Sequence, residues 1–332
     1  MNQNYRKVSG AGERISDKID AVLPWHGLEL PEVIPQGDMP GDKIEIGPEH
    51  IKKADIIFPI LLRRLEEVWL QSPYQRAVVT VCGGSGVGKS EIASLLSYYL
   101  NQSGIGSYTL SGDNYPHRIP KYNDAERLHI FRENGIRGMV ESGIYTKERF
   151  QLVQEWQKTG DDANPAHQNE HPWFSEYIKA GRRGLEGYLG TEKEIDFDEV
   201  SQIVSAFQDG ADKIWLKRMG REETEVWYEE VDFSCINTLI IEWTHGNSDY
   251  YQGVDIPILL NSTPQETLAH RRARNRDGRT DSPFTTLVLE IEQNLLRRQA
   301  PKAELILSKS GEVLSYEAYC RLMKESGGAE YE

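Results

Sequence analysis

Strand-like and helix-like apolar patterns alternate along most of this chain. Between Pro48 and Gln71 apolar side chains recur every three or four residues, which predicts an amphipathic helix. Short β-branched or apolar runs predict strands over 77–82, 106–110, 213–216, 238–242, 256–260 and 304–307. Helical patterns occupy 91–100, 123–134, 146–158, 174–180, 198–207 and 283–299. This succession predicts an α/β fold with a mostly parallel sheet flanked by helices.

Two segments differ in character from the alternating pattern. Residues 1–50 are rich in proline and glycine, so we expect extended and turn conformations there and assign them no chemistry. Residues 119–210 are polar and mostly helical. We therefore predict an N-terminal extension with an amphipathic helix over 1–74, a core formed by 75–118 and 211–320, and a helical insertion over 119–210, where substrate would bind.

Composition narrows the class of protein. Of the 332 residues 38% are hydrophobic, which is ordinary for a folded domain, and no apolar run approaches the length of a membrane span. The polar N-terminus carries no apolar targeting segment, which predicts a cytoplasmic protein. A net charge of −14 argues against a nucleic-acid backbone or an anionic membrane as the main partner. A small-molecule partner fits better, and a homodimer is compatible with the sequence.

One complete phosphate-binding motif, G-x-x-x-x-G-K-[ST], is present. Its residues are Gly83, Gly84, Ser85, Gly86, Val87, Gly88, Lys89 and Ser90, between a predicted strand and a predicted helix. The glycines let backbone N–H groups turn towards phosphates, and the helix N-terminus adds the positive end of its dipole. Lys89 would reach the outer phosphates and Ser90 would offer its hydroxyl to Mg²⁺. The motif predicts nucleoside triphosphate binding.

Two carboxylates stand at the carboxyl ends of predicted strands. Asp113 comes after the second strand of the core, where ligands bind in open parallel sheets, and is a candidate general base or Mg²⁺ ligand. Glu242 closes an apolar strand and could hold Mg²⁺ directly or through water. A turn or helix-cap aspartate and an ordinary strand-end glutamate are the alternatives.

Further polar residues are candidates for contact with substrate or phosphate. Directly after Asp113, and again after Glu242, the chain offers aromatic, imidazole and guanidinium groups at Tyr115, His117, Arg118, Tyr122 and His245. Arginines at 271, 272, 274, 276 and 279 form a basic cluster, and guanidinium groups closing over transferring phosphoryl oxygens stabilise their charge. A solvated basic helix face is the alternative for the cluster.

The order of these motifs resembles the uridine kinase and phosphoribulokinase family of P-loop kinases. The likeness covers about 77–118 and 236–280, including the Arg-x-Arg-x-Arg-Asp run that begins at Arg272. It implies a P-loop kinase core that uses ATP and Mg²⁺, with Asp113 as the base towards the acceptor hydroxyl and Glu242 assisting the metal. Arg272, Arg274 and Arg276 would belong to a closing lid. Trp243 stands where the family usually has glycine, which affects the predicted substrate more than the predicted reaction.

Three functional hypotheses follow from the residues and the resemblance. The first is a kinase that phosphorylates a hydroxyl of a sugar, polyol or nucleoside by in-line transfer. The second is an adenylylsulfate-type kinase, in which His117 and Arg118 would suit an anionic acceptor. The third is a nucleotide-driven regulatory ATPase whose helical insertion binds a protein partner.

Overall fold

The structure is a computed structural model that describes residues 15–263, 266 and 282–325. Its helices are α1 (Ile15–Val22), α2 (Pro48–Gln71), α3 (Lys89–Gln102), α4 (Pro120–Glu141), α5 (Lys147–Thr159), α6 (Phe174–Glu186), α7 (Phe197–Gln208), α8 (Pro283–Gln299) and α9 (Tyr316–Glu325). Its strands are β1 (Ala77–Gly83), β2 (Ser107–Ser111), β3 (Lys213–Met219), β4 (Val226–Asp232), β5 (Thr238–Trp243), β6 (Ile256–Leu260), β7 (Leu305–Leu307) and β8 (Val313–Leu314). The α/β class is confirmed, and each predicted strand is present.

The chain divides into two compact units. Of the described residues, the first unit holds 15–115, 197–263, 266 and 296–325. The second unit holds 116–196 and 282–295. The division into extension, core and insertion that we drew from the sequence stays a prediction.

The first unit is built on a six-stranded sheet in the order β2-β5-β1-β6-β7-β8. All neighbouring strands pair in parallel except β8, which is antiparallel to β7. The central strand β1 is buried along its whole length, which explains why its sequence is apolar apart from Thr80. Parallel pairing places the carboxyl ends of β1, β2 and β5 at one edge, where ligands bind in open sheets.

Helices α2 and α3 cover this sheet through one apolar cluster. Ile57, Leu61 and Leu65 of α2 are buried in it with Ile92 and Leu96 of α3. The spacing of four between Ile57, Leu61 and Leu65 is the apolar stripe that predicted α2 from the sequence. The prediction of this helix is therefore confirmed by both its bounds and its buried face.

The N-terminal segment differs from its prediction. We expected extended and turn conformations throughout 1–50, but Ile15–Val22 is helical. The prolines on which the prediction rested begin at Pro24 and do not reach back into this helix. Beyond it, Trp25 donates a hydrogen bond from Nε1 to Asp55 Oδ1 at 3.0 Å, which fastens the segment to α2.

Strands β3 and β4 form a separate antiparallel ribbon in the first unit. The apolar pattern predicted β3 but not β4. Six of the seven residues of β4 are exposed, so no alternation between apolar and polar positions marks it in the sequence. The ribbon ends at the pair Met219 and Val226.

The second unit is helical, as the helical patterns in its sequence predict. Helices α4 and α6 extend beyond the patterns at 123–134 and 174–180 that predicted them. Glycines within both helices weaken the helical signal. In the structure these glycines let the helices approach closely, because a Cβ at Gly135 would lie 2.6 Å from the ring of Tyr177, and one at Gly181 would lie 2.6 Å from the ring of Phe131. Among the described residues, no helix has the length and apolar content needed to cross a bilayer.

Candidate active site

The phosphate-binding motif forms the predicted strand, loop and helix. β1 ends at Gly83 and α3 begins at Lys89. Gly86 and Gly88 have φ of +77° and +96°, in the left-handed region that favours glycine. A Cβ at Gly83 would lie 2.7 Å from the carbonyl oxygen of Leu260, so only glycine lets the loop begin this close to β6. The left-handed φ explains the glycines at 86 and 88, and the close approach to β6 explains the glycine at 83.

Lys89 lies at the N-terminus of α3 within the loop. Its ammonium donates a hydrogen bond to the carbonyl oxygen of Gly84 at 3.2 Å. Its positive charge partly offsets the rise that burial and the charge of Asp113 cause in the pKa of Glu242. The ammonium, the loop and the helix dipole combine at a position that suits the phosphates of a nucleotide.

Glu242 is the buried acidic group of this site. Its carboxylate accepts hydrogen bonds from Ser90 Oγ at 3.2 Å and from Ser111 Oγ at 2.7 Å. Burial first, and then the negative charge of Asp113, raise the pKa of Glu242 to about 8. Burial and the nearby charge thus disfavour the ionised form of Glu242, and a bound cation at this position would stabilise it.

Ser90 and Glu242 fit Mg²⁺, because hydroxyl and carboxylate oxygens are the donors that Mg²⁺ takes. Within the described parts of the chain, no group of three or more His, Cys, Asp or Glu side chains is arranged to hold a metal. Magnesium is commonly bound by one or two carboxylates together with substrate phosphates and water. The donor set therefore suits a metal that arrives with a nucleotide.

Asp113 lies at the same edge of the sheet. Ser111, the last residue of β2, pairs with Glu242 of β5, and the chain then turns through the 3₁₀ helix Gly112–Asn114. Asp113 is exposed in this turn. Asp113 is thus exposed to solvent one strand away from Glu242, and its role as a general base stays a prediction.

Trp243 supports the turn that carries Asp113. The indole is 2% exposed, and a Cβ at Gly112 would lie 2.1 Å from its Cδ2 atom. The tryptophan that distinguishes this chain from the family pattern therefore packs directly on the backbone of the turn. Glycine at 112 is what permits this contact.

We expect Gly112→Ala to lower turnover by at least about 10-fold and to lower the melting temperature. The added methyl group overlaps the Trp243 ring, and overpacking of this kind costs about 1–3 kcal/mol and shifts backbone. Steady-state kinetics and thermal melts test this. The matched control is Gly187→Ala, where the nearest atom to a Cβ is 3.4 Å away. Wild-type turnover in Gly112→Ala would show that the turn tolerates displacement.

Two residues of the N-terminal segment lie at this site. Asp38 accepts a hydrogen bond from the backbone N–H of Ser111 at 2.7 Å. The ring of His50 lies against the phosphate-binding loop, since a Cβ at Gly88 would be 2.8 Å from His50 Nε2. Neither residue belongs to a recognisable motif, and the Gly37-Asp38 pair is typical of a turn. The segment to which we assigned no chemistry thus contributes to the surroundings of both Asp113 and the loop.

Tyr115 and His245 are buried in the first unit. Tyr115 is 0% exposed, and burial raises the pKa of its phenol well above its usual range. His245 is 6% exposed and packs edge-on against Trp243 with ring centroids 5.4 Å apart. Both lie near the turn or the end of β5, and their contact with substrate stays a prediction.

The other predicted substrate contacts belong to the second unit. His117 donates from Nε2 to the carbonyl oxygen of Glu192 at 2.9 Å, and Arg118 donates to the hydroxyl of Tyr188 at 3.2 Å. Tyr122 is 42% exposed. The roles of these three residues towards a substrate stay predictions.

The lid arginines Arg272, Arg274 and Arg276 lie outside the described residues, together with Arg271 and Arg279. The prediction of a closing lid stays a prediction.

Comparison with known proteins finds similarity to small-molecule kinases. The model of the adenylylsulphate kinase family matches residues 75–135, which include the phosphate-binding loop and Asp113. Over 238 residues the chain is 41% identical to the bifunctional α-galactosidase/sucrose kinase AgaSK of Mediterraneibacter gnavus, covering 72% of this chain and 20% of that protein. The chain resembles P-loop small-molecule kinases. The resemblance predicted from the motif order is thereby confirmed.

Two further proteins are similar to this chain. An adenylyl-sulfate kinase of Erwinia tasmaniensis is 35% identical over 82 residues, which cover 23% of this chain and 41% of that protein. The solved D-glycerate 3-kinase of Cryptococcus neoformans aligns with a TM-score of 0.44 at 12% identity, covering 81% of this chain and 98% of that one. The chain spans about a fifth of the first curated relative and less than half of the second.

Proposed function

We propose that this protein is an ATP-dependent kinase that transfers the γ-phosphoryl group to a hydroxyl of a small polar metabolite, with a sugar as the acceptor. One observation carries the proposal. An exposed carboxylate, Asp113, lies one strand from the buried Glu242, which contacts Ser90 of the phosphate-binding loop. Phosphoryl transfer requires a phosphate cradle, a metal position and a base towards the nucleophile, and these residues supply all three.

Different residues of the chain would bind the nucleotide, hold the metal and accept the proton. The loop N–H groups and Lys89 would bind and orient the triphosphate, and Ser90 with Glu242 would hold Mg²⁺ beside it. Mg²⁺ when bound neutralises charge on the phosphate oxygens. Asp113 would accept the proton of the acceptor hydroxyl as the O–P bond forms and the bond to ADP breaks.

A sugar is the first acceptor to test, because the relative from Mediterraneibacter gnavus is named a sucrose kinase. The experiment measures ADP release from the purified chain with Mg²⁺-ATP and sucrose, glucose, fructose, glycerate, uridine or adenylylsulfate. Lys89→Ala serves as the blank. Stimulation by one acceptor well above the blank supports a kinase and names its substrate class. Uniform slow release with every acceptor would contradict the proposal and favour a regulatory ATPase.

An adenylylsulfate-type kinase is the second candidate, because the family model that matches residues 75–135 is that of adenylylsulphate kinase. An anionic acceptor would need a cation, and the sequence predicts Arg118 for that role. In the structure Arg118 already contacts Tyr188 and lies 3.6 Å from the carboxylate of Glu126.

Arg118→Gln distinguishes the two acceptor classes. We expect less than about a 3-fold change in kcat/KM for a neutral sugar and a loss of about 10-fold or more for an anionic acceptor, since a charge-assisted hydrogen bond is about twice as strong as a neutral one. The matched control is Arg63→Gln on α2, in the first unit. An equal loss of kcat/KM for both acceptor classes would show that Arg118 stabilises the second unit and does not bind the acceptor.

A further inference from the structure

Asp38 is fully enclosed by donors from three parts of the first unit. Its Oδ1 atom accepts from the backbone N–H of Ser111 at 2.7 Å and from Asn114 Nδ2 at 3.1 Å. Its Oδ2 atom accepts from the hydroxyl of Tyr108 and from Arg218 Nη1, both at 3.0 Å. Each carboxylate oxygen thus receives two hydrogen bonds.

Two of these donors bracket the turn that carries Asp113. Ser111 immediately precedes the 3₁₀ helix Gly112–Asn114, and Asn114 ends it. Asn114 is itself held from the other side, because its Oδ1 atom accepts from the backbone N–H of Met219 at 3.0 Å. The Asp38 carboxylate therefore holds both ends of the turn. The ribbon also holds the end at Asn114.

The network is buried and charged. The side chains of Asp38 and Arg218 are each 5% exposed. Arg218 also donates to the hydroxyl of Tyr108 at 2.8 Å and to Glu229 at 3.1 Å, so its orientation is fixed by three side chains. Buried ion pairs add little net stability, but they hold their neighbours in one arrangement when all their hydrogen bonds are made.

The segment that carries Asp38 is fitted closely to β2. A Cβ at Gly37 would lie 3.2 Å from Thr109 Cγ2, so the backbone passes directly over this strand. This contact keeps Asp38 in register with Ser111, two residues further along β2.

We propose that Asp38 is a positioning residue for Asp113. By holding Ser111 and Asn114 it fixes the direction in which the Asp113 carboxylate points. The inference rests on the proposed function, in which Asp113 acts on the acceptor hydroxyl. The N-terminal segment would thus contribute to catalysis by positioning the turn, and Asp38 itself would not contact the substrate.

Asp38→Asn is the variant that tests this. An amide in either orientation turns its NH₂ group towards two donors, either Ser111 and Asn114 or Tyr108 and Arg218. We expect kcat to fall by about 10- to 100-fold, because small misplacements of a catalytic group cost that much. KM for ATP should change less than about 2-fold, since Asp38 holds the backbone N–H of Ser111 and not the hydroxyl that donates to Glu242. The acceptor is sucrose, or whichever compound of the panel proves to be the substrate.

A double-mutant cycle separates positioning from a general structural role. If Asp38 acts through Asp113, Asp38→Asn should change the single-turnover rate by less than about 2-fold when Asp113→Asn is already present. An equal loss in both backgrounds would overturn the inference, and so would an unchanged kcat in Asp38→Asn alone. Asp113→Asn alone tests the proposed function, so the two failures are distinguishable.

Two further variants complete the experiment. Glu32→Gln, an exposed position in the same segment, is the matched control and should leave kcat unchanged. Tyr108→Phe keeps the ring that packs on Phe233 but removes one hydrogen bond to Asp38. If Asp38→Asn does not fold, the same cycle is run with Tyr108→Phe, where we expect a loss of about 3- to 10-fold that disappears in the Asp113→Asn background. A loss that persists there overturns the inference.

Discussion

Replacing Lys89 with alanine should abolish phosphoryl transfer and weaken nucleotide binding. The ammonium belongs to the first residue of α3 and donates to the carbonyl oxygen of Gly84 in the loop, so it lies where phosphate charge would be bound. Removing one preorganised donor of this kind commonly costs about 10² to 10³ in kcat. ADP release at saturating acceptor measures the loss of turnover, and calorimetric titration with Mg²⁺-ADP measures the loss of affinity.

The fold should survive the Lys89→Ala substitution. Lys89 is the first residue of α3, its one described hydrogen-bond acceptor is the carbonyl oxygen of Gly84, and alanine is the best helix former. Lys158→Ala, at an exposed position of α5, is the matched control and should retain wild-type turnover. Equal turnover in Lys89→Ala and Lys158→Ala would refute the assignment of the loop as the phosphate site.

The parts of the site that could be predicted from the sequence depend on local signals. The phosphate-binding motif needs a strand, a glycine loop and a helix in immediate succession, and the eight motif residues with the apolar patterns on either side record all three. Glu242 and Asp113 could be identified because Glu242 closes a buried strand and Asp113 follows one, and buried strands leave apolar runs. The ends of neighbouring parallel strands meet at one edge, so their proximity followed from topology.

Other parts of the site depend on contacts between residues far apart in the chain. Asp38 meets Arg218 across 180 positions, and nothing near either residue in the sequence indicates the other. The exposed strand β4 leaves no apolar alternation, so its pairing with β3, the strand that holds Asn114, was not predicted. Trp243 departs visibly from the family pattern, but its packing on Gly112 required the structure.

Replacing Asp113 with asparagine should lower kcat by about 10² or more while nucleotide affinity changes little. Asparagine has nearly the same shape but cannot take a proton from an acceptor hydroxyl, and general base catalysis contributes about 10² to 10⁴. Because Asp113 is exposed, the substitution should leave folding intact. Steady-state kinetics with the identified acceptor and calorimetry with Mg²⁺-ADP provide the two readouts. Asp20→Asn, an exposed position on α1, is the matched control.

The balance between the two readouts decides which role Asp113 has. A base acts only when the hydroxyl reacts, so its loss lowers kcat and leaves Mg²⁺-dependent nucleotide binding near the wild-type value. A metal ligand contributes before chemistry, so its loss would raise the Mg²⁺ concentration needed for both binding and turnover. Because the charge of Asp113 reaches Glu242, a modest change in the Mg²⁺ requirement is expected even for a base. A kcat that recovers fully at high Mg²⁺ would therefore assign Asp113 to the metal, whereas a kcat that stays low at every Mg²⁺ concentration identifies it as the base.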